Sequence, residues 1–258
     1  MRKRMKFGLS AIILLVTLLN GDAQLQYKTG QLYISPIINI GAPAIINQNN
    51  FGFSEMAYNI KLGGQAGLLL GYDNYLKTSF RFGVLYGQFG QSYSDVLLGL
   101  PHKKNISLHY INVPVVYKYV FGDTKRFDFK IVYKYIFGGF QLGYLLDAKI
   151  DWERDNNPTG FWDFISYQGI NPNLDEIIKI GIPENDKEFF SPLDISMIAG
   201  LGMQYFIGQN WSVFGELTGN IGLRDINKPT WRFRNNKSAY SSSLNFFGGI
   251  GFGINYYP

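Results

Sequence analysis

The sequence predicts an all-β protein: an antiparallel up-and-down transmembrane β-barrel of about eight strands, with short periplasmic turns and long extracellular loops. Three observations predict it. Apolar and small or polar residues alternate with a period of two in one stretch after another. The links between those stretches alternate between short and long. A leader with the marks of an export signal precedes them all.

The last stretch, 243–257, shows the alternation most clearly. Leu244, Phe246, Ile250, Phe252, Ile254 and Tyr256 share one phase, interrupted only by Gly248; Ser243, Asn245, Phe247, Gly249, Gly251, Gly253, Asn255 and Tyr257, mostly small or polar, share the other. Residues two apart on a strand point to one face, so one face is apolar along its length and the other is thin and wettable. The same pattern runs through 31–41 (Leu32, Ile34, Pro36, Ile38, Ile40), 59–72 (Ile60, Leu62, Ala66, Leu68, Leu70, Tyr72) and 78–90 (Phe80, Phe82, Val84, Tyr86). It continues through 107–121 (Ile111, Val113, Val115, Tyr117, Tyr119), 195–207 (Ile195, Met197, Leu201, Met203, Tyr205, Ile207) and 211–223 (Trp211, Val213, Leu217, Ile221, Leu223). Pro114 cannot donate to a ladder and marks a bulge or a locally open edge. In the stretch from 127, Phe129, Ile131, Tyr133, Tyr135 and Phe137 hold the apolar phase, and after Gly138-Gly139 it passes to Phe140, Leu142, Tyr144 and Leu146. A β-bulge at the two glycines accounts for that exchange of faces. No Asp, Glu, Lys or Arg falls on the apolar phase, as expected where a charge facing lipid costs about 2–4 kcal/mol at mid-depth.

Link lengths separate a barrel from a soluble sandwich. The links near 72–76, 122–127 and 208–210 are short, and those at 42–58, 92–106, 150–190 and 224–242 are long and polar. Tight turns on one side and long loops on the other are the habit of outer-membrane barrels. Tyr72, Tyr119, Phe121, Phe127, Phe129, Tyr205, Trp211 and Tyr256 gather beside the short turns, as an interfacial girdle would.

Arg2, Lys3, Arg4 and Lys6 open the chain, an apolar run follows from Phe7 to Leu19, and Gly21, Asp22 and Ala23 supply small residues for cleavage before Gln24. That run, of about 13 residues, fits the ~7–15 of a signal peptide and falls short of the ~20 of a spanning helix. Residues 1–23 are thus expected to be a signal peptide and 24–258 the barrel domain, in the bacterial outer membrane. Aromatic residues make up 17% of the chain and charged residues 17%, against a usual charged share of about 25%. The formal charge is +5 but the basic residues are scattered, so no nucleic-acid patch is read. Cysteine is absent, which removes disulfides, thiolate metal sites and cysteine nucleophiles together.

The segments "ISLHYINVPVVYKYVFG" and "LDISMIAGLGMQYFIGQNWSVFGELTGNIGLRDIN", followed by "SSSLNFFGGIGFGIN", resemble the strand–Pro–strand unit and the closing strands of the PorT-type outer-membrane β-barrel proteins of Bacteroidota. The resemblance rests on the "GQNW" turn, the exit at Gly222-Leu223-Arg224-Asp225-Ile226-Asn227 and the glycine-alternating last strand. It implies an eight-stranded outer-membrane barrel, with some relatives taking part in secretion and gliding. The long 150–190 loop is not part of that pattern.

Candidate sites are few. Lys61, Arg81, Lys118, Lys130, Lys134 and Glu216 fall on the polar phase and read as a structural salt-bridge cluster neutralising a narrow lumen; a polar relay is the alternative. His102 and His109 read as a loop and a rim histidine, since nothing in the spacing brings a nucleophile and an orienting group to them. Asp151, Glu153 and Asp155 have the spacing of a calcium loop, but Asn156 stands where its glycine belongs and Trp162 where its glutamate does. No metal and no cofactor are therefore expected. The loop 150–190 carries Trp152, Phe161, Trp162, Phe164, Tyr167, Phe189 and Phe190, and a short amphipathic helix near 174–180. Such aromatic density suits a folded cap over the mouth or a partner-docking face. The expected function is a non-enzymatic anchor or docking component, serving protein secretion or surface assembly, with outer-membrane lipid and other envelope or secretion-machine proteins as partners. A loop-active outer-membrane enzyme and a small diffusion channel are the alternatives.

Overall fold

The computed structural model describes residues 30–47, 56–74, 77–97, 99–121, 132–160, 174–181, 183–208, 210–233 and 240–258. The leader at 1–23, the turn at 122–127 with Phe129, and the loop aromatics Phe161, Trp162, Phe164 and Tyr167 lie outside the described residues. One antiparallel sheet is formed by β1 (Gln31–Ile46), β2 (Ala57–Asn59), β3 (Gly63–Asp73), β4 (Thr78–Leu97), β5 (Leu100–Phe121), β6 (Val132–Arg154), β7 (Asn157–Pro158), β8 (Leu193–Phe206), β9 (Trp211–Gly222) and β10 (Leu244–Tyr256). Each long strand pairs with the next long strand in sequence, and β10 closes onto β1 with Ile38 opposite Phe252 and Ile40 opposite Ile250. The result is a ring of eight long strands, with β2 and β7 as short additions to β4 and β6.

The phases expected from sequence hold on β1, β3, β8, β9 and β10: Leu32, Leu68, Leu201, Leu217 and Phe252 are exposed on the outside, while Tyr33, Gln65, Gln204, Glu216 and Asn245 are buried inside. Four of the inward glycines are explained by what lies across from them. Gly71, Gly202, Gly200 and Gly253 are the register partners of Tyr33, Tyr135, Phe137 and Phe214. Each ring lies flat over its glycine; a Cβ at Gly202 would stand 2.6 Å from the Tyr135 ring. The small face is therefore small because aromatic rings cover it.

On β6 the structure corrects the expected phase. Val132, Lys134, Ile136, Phe140, Leu142, Tyr144 and Leu146 all face outward, and Tyr135 and Phe137 face inward at 1% and 5% exposure. The faces do not exchange at Gly138-Gly139. They exchange at Leu146, where the register shifts: His109 pairs with Asp147 and Tyr110 with Leu145. Tyr135 and Phe137 misled the reading because aromatic rings suit either lipid or a glycine-floored interior. At Pro114 the β4–β5 pairing is interrupted between Phe82–Val115 and Leu85–Asn112, while β5 stays paired with β6.

The stretch 92–106 is not a loop. It is the top of a tall hairpin in which β4, β5 and β6 run for 20, 22 and 23 residues, turning between Leu97 and Leu100 with Gly99 at φ 81°. A spanning strand needs only about 9–11 residues, so these three strands project beyond the membrane as a wall. Above Tyr86, His109 and Tyr144 the polarity inverts. Phe89, Tyr93, Ile106, Leu108, Ala148, Ile150 and Trp152 point inward and are buried, while Ser92, Lys103, Asn105, Lys149, Asp151 and Glu153 point outward. Helix α1 (Leu174–Ile180), the 3₁₀ turns Asp186–Phe189 and Pro229–Trp231, and Phe233 fold over this inner face. Ile177, Phe189, Phe190, Ile226, Trp231 and Phe233 join the wall residues in one apolar core that covers the mouth.

Candidate functional site

The interior is filled from top to bottom, and each level has its own chemistry. At mid-height Arg81 of β4 and Glu216 of β9 form a bidentate ion pair, with Nη2 to Oε2 at 2.9 Å, and their side chains are 6% and 2% exposed. The Tyr135 hydroxyl donates to Glu216 Oε1 at 2.7 Å, and the guanidinium lies over the Phe137 ring at 4.9 Å. Two parallel N–H bonds and a third donor leave little of this carboxylate unpaired, which a buried ion pair requires. Ile37, Leu69, Leu85 and Phe214 pack beside it as an apolar layer.

Toward the short turns a second network fills the bottom. Lys118 Nζ donates to Gln204 Oε1 at 3.0 Å and stands 3.9 Å from Asp73. Tyr257, just past β10, donates from its hydroxyl to Asp73 Oδ2 at 2.9 Å and accepts from Gln204 Nε2 at 2.8 Å. Ser212 accepts from Gln204 and Asn255. Tyr257, continuing the inward phase of β10, thus ties β3 to β8 across the lower interior.

At the top, Asp225 is the centre of a knot that sequence reasoning did not single out as a site, although it lies in the Gly222–Asn227 exit. Its Oδ1 accepts from the N–H groups of Asn227 at 3.0 Å and Ser243 at 3.3 Å. Its Oδ2 accepts from Tyr240 at 2.6 Å and pairs with Arg232 Nε at 2.9 Å. Burial and the bond to Asp225 push the Tyr240 hydroxyl up to about 12. Ser191 N–H to Ile226 O and Lys228 N–H to Phe189 O tie this loop to the 186–191 turn, and Ser243 Oγ donates to Asn47 O at the end of β1. An Asp three residues past a strand end is the only signal the sequence carried for it.

The structure brings Arg81, Lys118 and Glu216 into the interior and not the other cluster members. Lys61 precedes β3 at the outer rim, where its ammonium bonds Asn105 Oδ1, Ile106 O and Ser107 Oγ at 2.6–2.9 Å. The chain is irregular at 60–62, so strand parity fails there. Lys134 faces outward on the lipid phase, two residues from the start of β6, a consequence of the unbroken phase of that strand. Lys130 lies outside the described residues. Trp152 sits in the cap core at 8% exposure with the Lys104 ammonium 4.8 Å from its ring, so it packs inward and is not part of an exposed docking face.

His102 is buried on the inner face of β5 and His109 is half-buried on its outer face, where Nδ1 lies 2.6 Å from the Tyr86 hydroxyl. Opposite faces and seven residues of strand, a separation of about 23 Å, keep them from acting on one substrate. Asp151 pairs with Lys149 at 2.7 Å and Glu153 with Lys103 at 3.6 Å on the outside of the wall. Among the described residues no three His, Asp or Glu side chains are grouped to hold a metal ion.

A closed antiparallel ring with an apolar outer belt, exposed Tyr72, Tyr119, Phe121, Trp211 and Tyr256 at its short-turn end, and a paired ionic interior defines a small outer-membrane β-barrel. The chain belongs to the outer membrane protein beta-barrel domain family, whose profile matches residues 31–228. Among solved structures it is similar to the N-terminal β-barrel domain of Pseudomonas aeruginosa OprF, at 12% identity over 89% of this chain and 100% of that one, with a TM-score of 0.38. It is similar to Neisserial surface protein A, at 11% identity over 87% and 96%, TM-score 0.40, and to the attachment invasion locus protein Ail of Yersinia pestis, at 12% identity over 89% and 100%, TM-score 0.31. No curated protein matches the sequence.

Proposed function

We propose that the chain is a non-enzymatic, non-conducting outer-membrane anchor, exported by residues 1–23, whose wall and cap display a docking surface to another envelope protein. The observation that carries this reading is the filling of the barrel: the cap core, the Arg81–Glu216 pair and the Asp73–Tyr257–Lys118 network lie one below another. An eight-stranded ring is just wide enough for side chains to fill, and these side chains fill it. Ions would have to displace a buried, fully paired carboxylate, so the channel reading is the weaker one. The docking face is assigned to Phe161, Trp162, Phe164 and Tyr167, between β7 and α1, since Trp and Tyr are the usual anchors of interfaces. The resemblance to PorT-type proteins directs the search for a partner to the secretion and surface-assembly machines.

The test combines two measurements on one pair of proteins, wild type and a variant in which 161–170 is replaced by a Gly-Ser linker. Both should keep heat-modifiable gel mobility and show no steady conductance in planar bilayers. Only the wild type should co-purify an envelope protein from native membranes. Ohmic channels from the pure wild type would transfer the function to diffusion, and an undiminished partner on the variant would remove 161–170 from the interface.

A further inference from the structure

The outer face carries one feature that a uniform lipid belt does not have. Ile38 of β1, Phe252 of β10, Gly215 of β9, Met203 of β8, Lys134 of β6 and Phe121 of β5 are successive register partners, one row crossing six strands. A groove with a volume of about 1130 Å³ follows this row. Its surface is almost wholly apolar, and Lys134 lines it next to Phe121, the last residue of the row. The row also changes depth. Ile38 stands seven residues inside β1, whereas Met203, the register partner of Lys134, is three residues from the end of β8 at a short turn. The row therefore descends from the middle of the membrane toward its periplasmic side.

Two details define the groove. Gly215, in the middle of the row, gives it a low floor: a Cβ there would meet nothing closer than 3.8 Å, as at the outward glycines Gly138 and Gly219. Lys134 is, among the described residues, the one charged side chain on the outward phase of the spanning strands. Close to the strand end its stem can lie along apolar wall while the ammonium reaches the headgroup level.

We propose that this groove seats an acyl chain of an anionic phospholipid of the periplasmic leaflet, with its headgroup phosphate on the Lys134 ammonium. Bilayer tails are as apolar as the groove, so the chain gains shape-matched contact but little hydrophobic free energy, and selection between lipids falls to the charge. A net-negative headgroup gains from a single lysine by about five-fold over a zwitterionic one.

The experiment uses the full chain in detergent micelles and counts bound lipid by native mass spectrometry, titrating dioleoyl phosphatidylglycerol against dioleoyl phosphatidylethanolamine. The wild type should retain phosphatidylglycerol about five-fold better. Lys134→Gln should abolish the preference while leaving heat modifiability intact. Gly215→Leu, which fills the groove floor where space exists, should lower the retention of both lipids. Lys103→Gln, on the wall above the membrane, should behave as wild type. Equal retention of the two lipids by the wild type, or a preference that survives Lys134→Gln, would overturn the headgroup contact. Full retention by Gly215→Leu would overturn the groove as the seat.

Discussion

The lower and upper halves of this molecule are built from the same strands with opposite polarity. On β4, Val84 and Val96 occupy the same outward phase and are both exposed, one in the lipid belt and one near the hairpin tip. Below Tyr86 the outward positions are Phe80, Phe82 and Val84, and the inward ones include Arg81; above it the outward positions include Ser92 and Ser94, and the inward ones Phe89 and Tyr93. Strand geometry fixes only that alternate residues part company. Which set is apolar depends on what lies outside, lipid below and water above, and on what fills the inside, an ionic network below and a loop core above. The molecule is thus a membrane barrel continuous with half of a soluble sandwich.

The largest expected effect breaks the lower interior alone. Glu216→Ala leaves the Arg81 guanidinium buried without its carboxylate, and stranding one partner of a buried pair costs about 3–5 kcal/mol. The loss should appear as a fall in the urea midpoint of the barrel in micelles. The double variant Arg81→Leu/Glu216→Leu should recover most of it, because the penalty belongs to the stranded charge and not to the absence of the pair. A double variant no better than Glu216→Ala would mean that the pair's geometry, not its charge balance, holds the strands.

Next in size is a direct comparison of the two outer faces. Val84→Arg places a cation on the lipid belt and should cost about 2–4 kcal/mol. Val96→Arg makes the same change in water and should stay within about 0.5 kcal/mol of the wild type. Equal costs, measured by reversible unfolding in lipid vesicles, would show that both residues meet the same solvent and that the wall does not leave the membrane.

The period of two makes the ring legible in the sequence alone, because lipid on one side and small residues on the other reinforce it in every spanning strand. The wall was not legible, since Ser92, Ser94, Lys103 and Asn105 read as loop when apolar residues are assumed to face outward. The β6 error has the same root: Tyr135 and Phe137 are apolar, and nothing local reveals that Gly202 and Gly200 lie opposite them. Of the interior site, Arg81, Lys118 and Glu216 were legible from phase, but their separation into two levels was not. Nor were Asp73 and Tyr257, which meet across 184 positions of sequence. Asp225 carries only a family-pattern signal in the sequence, and its four contacts come from loop packing that no periodicity encodes.

The last effect concerns the upper interior and depends on pH. Lys104 lies on the wall above the membrane, 3% exposed, with its ammonium facing the Trp152 and Tyr93 rings. Burial lowers it from 10.5 to about 7. An opening of the cap that lets water reach Lys104 restores the ordinary value. Between about 7 and 10.5 the open state therefore holds a proton that the closed state does not. Closing releases a proton, so the cap is favoured as pH rises through this window; the gain is complete above 10.5 and gone below about 7. Each pH unit inside the window contributes at most about 1.4 kcal/mol, or about ten-fold in the opening equilibrium. Limited proteolysis should thus cut the cap more slowly at pH 9 than at pH 7 once the protease's own pH profile is divided out, while the spanning strands stay resistant at both. Lys104→Met keeps the stem and removes the titration, and should make the corrected rate flat. A cap whose cutting rate falls with pH equally in the Met variant would place the titrating group elsewhere; Asp186 and Tyr240, both raised in the closed cap, hold protons that opening releases and would make the rate rise with pH instead.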